Sequence, residues 1–326
     1  MNAPDAPPSP LFVTALQDEG PSPDVELAAG LLAAPGRISP KYLYDALGSA
    51  LFVAITELDE YYPTRTEAAL MAEHQDAIAA AVARALPGAF SLVDLGAGNG
   101  AKAERLFGPL GPARYVAVDI AADFLRQSLQ SLQQRHPALP MVGVATDFSR
   151  RLQLPAGVAQ GPALVFYPGS SIGNFGPDEA LQLLQQAREL ADGGALLIGA
   201  DLVKAQRVLE AAYDDALGVT AAFNLNLLRH ANRLLGSDFV LADWAHVALY
   251  DEAASRIEMH LQARRDCTVR WPGHERRFAA GERIHTENSY KWTPESFGAL
   301  LQRAGWRDVQ AWFDPRRWFG VFLARA

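Results

Sequence analysis

The stretch Leu92-Val93-Asp94-Leu95-Gly96-Ala97-Gly98-Asn99-Gly100-Ala101-Lys102 constrains this chain more than any other. An apolar run ends in a carboxylate and then a glycine-spaced loop, the pattern by which a buried parallel strand hands its backbone to a ligand before a helix begins. Glycine at 96 and 98 lets the backbone approach a cofactor that a side chain would push away. The spacing Gly96-x-Gly98-x-x-Ala101 also satisfies the dinucleotide fingerprint, and a pattern this short admits a ligand-free turn as well as a nucleotide site.

The surrounding chain supplies the frame. Apolar runs at 90–95, 115–120, 141–145, 164–167 and 195–200 alternate with amphipathic segments, which predicts βαβ units and a doubly wound parallel sheet. Each run ends in polar or glycine-rich residues: Asp94, Asp119, Asp147-Phe148, Pro168-Gly169-Ser170-Ser171 and Asp201. Ligands in such sheets bind at the carboxyl ends of the strands, so these residues are expected to ring one crevice. Asp119 ends the second strand, where a carboxylate accepts both hydroxyls of an adenosine ribose. That chemistry serves NAD and S-adenosylmethionine alike, and a dehydrogenase and a methyltransferase both remain open on it.

After Asp201-Leu202-Val203-Lys204 the winding stops. Residues 210–235 read as largely helical, and 240–270 alternate in the manner of antiparallel strands, so a second unit is inserted into the first. Thr293-Pro294-Glu295 then starts a capped helix with Phe297, Leu300, Leu301 and Ala304 on one face, ended by Gly305. Two strands, 309–314 and 318–324, follow. A closing helix and hairpin complete the sheet of a class I methyltransferase, whereas a nicotinamide-binding half has no such obligatory ending.

Composition narrows the partners. A net charge of -8 over 326 residues argues against a nucleic-acid surface, and no apolar run is long enough to span a bilayer. The single cysteine, Cys267, excludes an internal disulfide and fits a reducing compartment. The N-terminus lacks the basic and apolar blocks of a signal peptide, which predicts a cytoplasmic protein. Prolines crowd residues 1–23, and 1–17 are expected to form a flexible arm. Residues 24–32 read as a short helix, and Thr64 with Glu67 reads as a capping box that opens one long helix to about 85. The seven histidines show no ligand spacing, so no metal site is expected, and His260 and His285 read as strand residues. Ser170-Ser171 lies in no nucleophile elbow, which argues against a hydrolase.

Several separated blocks occur in order: Tyr44-Asp45 with Gly48-Ser49, Glu60-Tyr61-Tyr62-Pro63-Thr64-Arg65, Tyr167-Pro168-Gly169-Ser170-Ser171-Ile172-Gly173-Asn174, Tyr213-Asp214-Asp215, Thr220-Ala221-Ala222-Phe223-Asn224, Ile257-Glu258-Met259-His260 and Thr286-Glu287-Asn288-Ser289. On these blocks the chain, from about Tyr42 to its C-terminus, resembles the L-histidine Nα-methyltransferases of ergothioneine biosynthesis. The resemblance implies a class I (Rossmann-like) α/β methyltransferase domain over 66–202 and 291–326. It also implies an inserted α+β substrate-binding lid over 18–65 and 203–290. It implies S-adenosylmethionine as cofactor, free L-histidine as substrate, hercynine as product, and a monomer with no nucleic-acid or membrane partner.

The resemblance also assigns roles. Gly96, Gly98 and Lys102 would receive the methionine part of the cofactor, with Tyr44 reaching in from the second unit; Asp119 would hold the ribose, and Asp147 and Phe148 would frame the adenine. Asn174, Tyr61 and Tyr213 would fix the amino and carboxylate groups, with Tyr44 and Asn174 the catalytic pair. Glu287 and Ser289 would bond the imidazole, and Met259, Phe52, Thr220 and Phe223 would line the pocket. Residues 171 and 99–101 depart from the family's usual Gly-Ser-Thr-Ile-Gly-Asn and Gly-Thr-Ser-x-Lys patterns without removing a proposed substrate contact. Methylation of another amino acid or small amine is the nearest alternative; an NAD-dependent dehydrogenase and a non-catalytic ligand sensor are alternatives of other classes.

Overall fold

In the computed structural model residues 9–14 and 21–326 are described. They form two compact units, one from 9–14, Arg65–Leu202 and Trp292–Ala326, the other from 21–64 and Val203–Lys291. In the first, the apolar runs become an eight-stranded sheet in the order Leu11–Thr14, Met141–Ala145, Arg114–Asp119, Ser91–Leu95, Ala163–Tyr167, Ala195–Asp201, Phe319–Arg325, Arg307–Phe313. Neighbours run parallel as far as Ala195–Asp201, and the last two strands close the sheet antiparallel. Strand order reverses beside Ser91–Leu95, the topological switch point at which such sheets bind ligands. This is the class I, Rossmann-like α/β arrangement.

The central strands are covered on both faces, which is why their sequences are continuous apolar runs rather than alternating ones. One layer joins Leu92, Ala117, Leu164, Leu197 and Val321 to Ile78, Val82, Leu106, Leu125 and Leu129 of the helices Gln75–Ala85, Ala101–Leu110 and Ala122–Arg135. Each such buried leucine contributes about 1.5–3 kcal/mol. Outside that cluster, helices Pro177–Ala191 and Pro294–Arg303 bury Leu183, Leu184, Phe297, Leu300 and Leu301. Trp306 fastens this layer by donating its indole N–H to the Leu184 carbonyl at 3.0 Å. Thr293 caps its helix as expected, its hydroxyl accepting from the Ser296 N–H at 3.1 Å.

Two expectations are corrected. Within the segment expected to be a flexible arm, Leu11–Thr14 is an edge strand parallel to Met141–Ala145, with Phe12 packed against the core. The short apolar, β-prone run Leu11-Phe12-Val13 prevails over the flanking prolines, while 1–8 and 15–17 lie outside the described residues. Thr64 does not cap a helix either. The helix Tyr62–Glu73 is already under way at Thr64, a second helix, Gln75–Ala85, follows a break at His74, and the Glu67 carboxylate is buried and used elsewhere.

The second unit centres on a four-stranded sheet in the order Gly36–Arg37, Arg283–Tyr290, Arg256–Ala263, Trp244–Asp251, with a separate hairpin of Cys267–Trp271 and His274–Phe278. Helix Val219–Leu235 packs on the helix Ala46–Thr56 and on the strands. The stretch 210–235 is largely helical as expected, in two helices, Gln206–Tyr213 and Val219–Leu235, because the Asp215 carboxylate accepts the Val219 and Thr220 N–H groups at 2.9 and 2.7 Å and starts the second one. Gly48 is obligatory, since a Cβ there would stand 1.8 Å from the Leu43 carbonyl oxygen. No helix among the described residues is long and apolar enough to cross a membrane.

The strand Ser91–Leu95 carries Asp94 one residue before its end, buried and accepting the Tyr115 hydroxyl at 2.8 Å while its other oxygen has no hydrogen-bond partner. Burial pushes the Asp94 carboxyl up to about 7, against the Tyr115 bond and the Lys102 charge that pull it down. A hydrogen bond to the ionised form is the stronger one. Tyr115→Phe is therefore expected to cost about 1–3 kcal/mol at pH 8, read as a fall in melting temperature, and distinctly less at pH 6; equal losses at both pH values would contradict this account.

Candidate active site

In the first unit the loop after Ser91–Leu95 exposes backbone. Gly96 and Gly98 have φ of +70° and +53°, and a Cβ at either position would meet nothing within 4 Å. The loop therefore borders open space that a ligand can fill. Gly98 N–H donates to Asp119 Oδ2 at 2.8 Å and Ala121 N–H to Oδ1 at 2.9 Å, so the carboxylate is held at the strand end by two backbone bonds. An ionised carboxylate offers about four acceptor positions, which leaves two for vicinal hydroxyls. At the next strand end Asp147 accepts the Ser149 N–H at 3.1 Å and also the Ser149 hydroxyl, and Phe148 meets the Tyr167 ring edge-to-face at 5.9 Å. Open space beside the glycines, a carboxylate at the second strand end and an aromatic at the third are what an adenosine-bearing cofactor requires.

Lys102 is positioned by a residue that local sequence reading took for a cap. Its Nζ lies 2.6 Å from Glu67 Oε2, and Glu67 Oε1 accepts the Gly169 N–H at 2.7 Å. Glu67, 4% exposed, thus brackets the loop helix to the turn after Ala163–Tyr167. That turn is strained: Ser170 sits at φ +58°, held by its Oγ accepting the Asp201 N–H at 2.8 Å. The strain delivers the short turn Ser171–Asn174, placing Asn174 on the same unit as the glycine loop. The signal for Glu67 was an acid directly ahead of the small, apolar run Ala68-Ala69-Leu70-Met71-Ala72.

The second unit sorts the tyrosines. Tyr44 meets Phe52 at 5.7 Å and Phe223 at 5.6 Å; Phe52 meets Tyr61 at 6.1 Å, and Tyr61 meets Tyr213 at 6.2 Å. Residues from four separate sequence blocks thereby form one continuous aromatic wall. Tyr42 and Tyr62 pack elsewhere, Tyr42 on His230 and Tyr62 under the Lys204 ammonium, which donates to its hydroxyl at 2.6 Å. Thr220 lies buried one turn before Phe223 on the helix Val219–Leu235. Within its own unit Tyr44 belongs to this wall.

A polar end completes the wall. Tyr213 and Ser289 share a 2.7 Å hydrogen bond, and the Lys291 ammonium donates to Ser289 Oγ at 2.7 Å and to Tyr213 Oη at 3.1 Å. Lys291 is 3% exposed and also lies 4.8 Å from the centre of the Tyr213 ring. Glu287, paired in register with Met259, is buried with Oε2 unpartnered. Burial pushes its carboxyl up to about 7, with the Lys291 charge pulling the other way. A bulge between His285 and Glu287 resets the strand's phase, so Glu287 and Ser289 are both buried while Asn288 between them is not. Neither Lys291 nor the bulge was legible as part of a site in the sequence.

A cavity of about 410 Å³ elsewhere in this unit is walled by Arg37, Arg256, Glu258, His260, Arg283 and His285 and shares none of these residues. Its groups largely satisfy one another: Arg256 Nε donates to Glu258 Oε1 and His260 Nε2 bonds Glu258 Oε2, both at 2.8 Å. Burial holds His260 and His285 below the usual imidazole range, in keeping with strand residues packed neutral.

Residues 24–326 match the family described as "Histidine-specific methyltransferase, SAM-dependent". The chain is 42% identical over 306 residues to the histidine N-alpha-methyltransferase of Mycolicibacterium smegmatis, covering 92% of this chain and 93% of that one. It is 37% identical over 307 residues to the histidine N-alpha-methyltransferase of Mycobacterium tuberculosis, with the same coverages of 92% and 93%. The ergothioneine biosynthesis protein 1 of Neurospora crassa is 29% identical over 288 residues, 85% of this chain and 32% of that longer protein. With its fold, its glycine loop and a match over almost its whole length, this chain belongs to the histidine-specific, S-adenosylmethionine-dependent methyltransferases.

Proposed function

We propose that this protein converts free L-histidine to Nα,Nα,Nα-trimethylhistidine, hercynine, as a step of ergothioneine biosynthesis. The observation that carries the reading is the juxtaposition in one unit of an aromatic wall, Tyr44, Phe52, Tyr61, Tyr213 and Phe223, with a polar end made of Glu287 and Ser289. S-adenosylmethionine, when bound, supplies an electrophilic methyl group on sulfur. Gly96 and Gly98 would admit its methionine part, with Lys102 beside them; Asp119 would take the ribose hydroxyls, and Asp147 and Phe148 the adenine.

The protein's task in such a displacement is mostly positioning. An amine lone pair must meet the methyl carbon in line, and orientation alone supplies effective molarities on the order of 10⁵ M or more. Asn174, Tyr61 and Tyr213 would hold the amino and carboxylate groups, with Tyr44 and Asn174 orienting the amine, and Met259 and Thr220 would complete the pocket. Each methylation leaves a more alkylated nitrogen, and the final quaternary ammonium suits the faces of Tyr44, Phe52, Tyr61 and Phe223, a cation–π attraction of about 0.5–2 kcal/mol. Glu287 supplies selectivity, because a ring without an N–H leaves a buried carboxylate unpaired at about 1–3 kcal/mol or more. A monomeric protein working in the cytoplasm belongs to the same reading.

Purified protein incubated with S-adenosylmethionine and a panel of free amino acids is expected to give mass shifts of one, two and three methyl groups on histidine. Methylation of tryptophan or tyrosine but not histidine would overturn the substrate, and thermal stabilisation by NAD but not by S-adenosylhomocysteine would overturn the cofactor. A second expectation concerns Glu287 without ligand. Its carboxyl rises from an ordinary 4.5 to about 7 on folding, so between those values the folded chain binds more protons than the unfolded one, and stability falls as pH rises through the window. Glu287→Gln removes that loss and is expected to raise stability by up to about 3 kcal/mol at pH 8 while changing little at pH 4.5. A gain that is the same at both pH values would contradict the buried, ionisable role.

A further inference from the structure

Lys291 is absent from every role assigned above, yet it is the buried cation nearest the polar end of the aromatic wall. An ammonium has three N–H donors and no acceptor, whereas a hydroxyl has one hydrogen and two lone pairs. At 2.7 Å from Ser289 Oγ and 3.1 Å from Tyr213 Oη, Lys291 Nζ must donate to both oxygens. The two hydroxyls are themselves 2.7 Å apart, so one of their hydrogens is spent on that bond and the other is directed to an acceptor beyond the trio. A phenol is a stronger acid than an alcohol and the better donor. The geometry admits either hydroxyl as donor; this difference in acidity favours Tyr213 donating to Ser289, with the Ser289 hydrogen left for an acceptor beyond the trio.

We propose that Lys291 is a specificity-determining positioning residue: by donating to both hydroxyls it makes Ser289 an obligate donor toward the substrate ring, opposite Glu287, an acceptor. A donor and an acceptor carried two residues apart on one buried strand match a ring with one bare nitrogen and one N–H, which is a neutral imidazole. Indole offers only an N–H, a phenol ring offers one hydroxyl and no bare nitrogen, and a thiophene offers neither. Without the ammonium, Ser289 could turn its lone pair to the ring as readily as its hydrogen, and the discrimination would be lost while the aromatic wall stayed intact. The inference rests on the histidine reading above and adds what enforces it.

The test compares full-length wild type, Lys291→Met, Ser289→Ala and the double variant, with kcat/KM measured for histidine and for 3-(2-thienyl)alanine, and S-adenosylhomocysteine affinity as the check on folding. Lys291→Met is expected to lower the histidine-to-thienylalanine ratio about 10- to 100-fold with S-adenosylhomocysteine binding within about twofold of wild type. In the Ser289→Ala background the same substitution should change the ratio by less than about threefold, because its effect travels through Ser289. Equal losses for both substrates, or additive effects in the double variant, would overturn the proposal in favour of simple packing. Should Lys291→Met fail to bind S-adenosylhomocysteine, Lys291→Gln, which keeps N–H donors without the charge, is expected to retain most of the ratio, and its collapse there would overturn the proposal. A wild type that does not methylate histidine defeats the substrate reading itself; a wild type that does, with the ratio unchanged in Lys291→Met, defeats only this inference.

Discussion

The 2.7 Å hydrogen bond between Tyr213 and Ser289 is the contact on which the pocket proposed for the second unit depends. It joins the last residue of the helix Gln206–Tyr213 to the strand Arg283–Tyr290, elements far apart in sequence, and it exists in a buried setting where an unmade bond would cost about 1–3 kcal/mol. Around it the aromatic rings of Tyr44, Phe52, Tyr61 and Phe223 give shape, and the Glu287 carboxylate with its unpartnered oxygen gives polarity. An aromatic wall alone would accept most apolar side chains. The polar end restricts which ring can sit against it without leaving a buried group unsatisfied.

The other unit works by a different means. Its contribution comes mostly from backbone at strand ends, with side chains used to hold that backbone still. Asp119 grips Gly98 and Ala121, Glu67 grips Gly169 and Lys102, and Ser170 grips Asp201. These bonds fix loops that a parallel sheet leaves at its carboxyl edge, the edge to which the proposed cofactor site is assigned. A displacement reaction that needs orientation more than acid–base strength is well served by the proposed division between a rigid backbone cradle and a selective side-chain pocket.

How far the sequence carried this account depended on whether a feature is local. The strands 91–95, 114–119, 141–145, 163–167 and 195–201 were legible because a strand buried on both faces must be apolar throughout, and the Thr293 cap because its partner Ser296 stands three residues away. The glycine loop announced a ligand without saying which. Leu11–Thr14 was missed because its pairing partner lies beyond residue 140, and Glu67 because its partners, Lys102 and Gly169, are remote as well. The sorting of Tyr44, Tyr61 and Tyr213 into the wall, and of Tyr42 and Tyr62 away from it, likewise required three-dimensional neighbours. Lys291 stayed invisible since a lysine at a strand's end is ordinarily solvated, and only its 3% exposure shows otherwise.

The central claim is that Glu287 recognises the substrate ring and takes no part in holding the cofactor. Calorimetric titration of wild type and Glu287→Ala with L-histidine and, separately, with S-adenosylhomocysteine tests it most directly. The account predicts that histidine binding weakens by at least about tenfold, the worth of one hydrogen bond to a charged group, while S-adenosylhomocysteine binds as in wild type. Equal weakening of both ligands, or undiminished histidine binding, would contradict it.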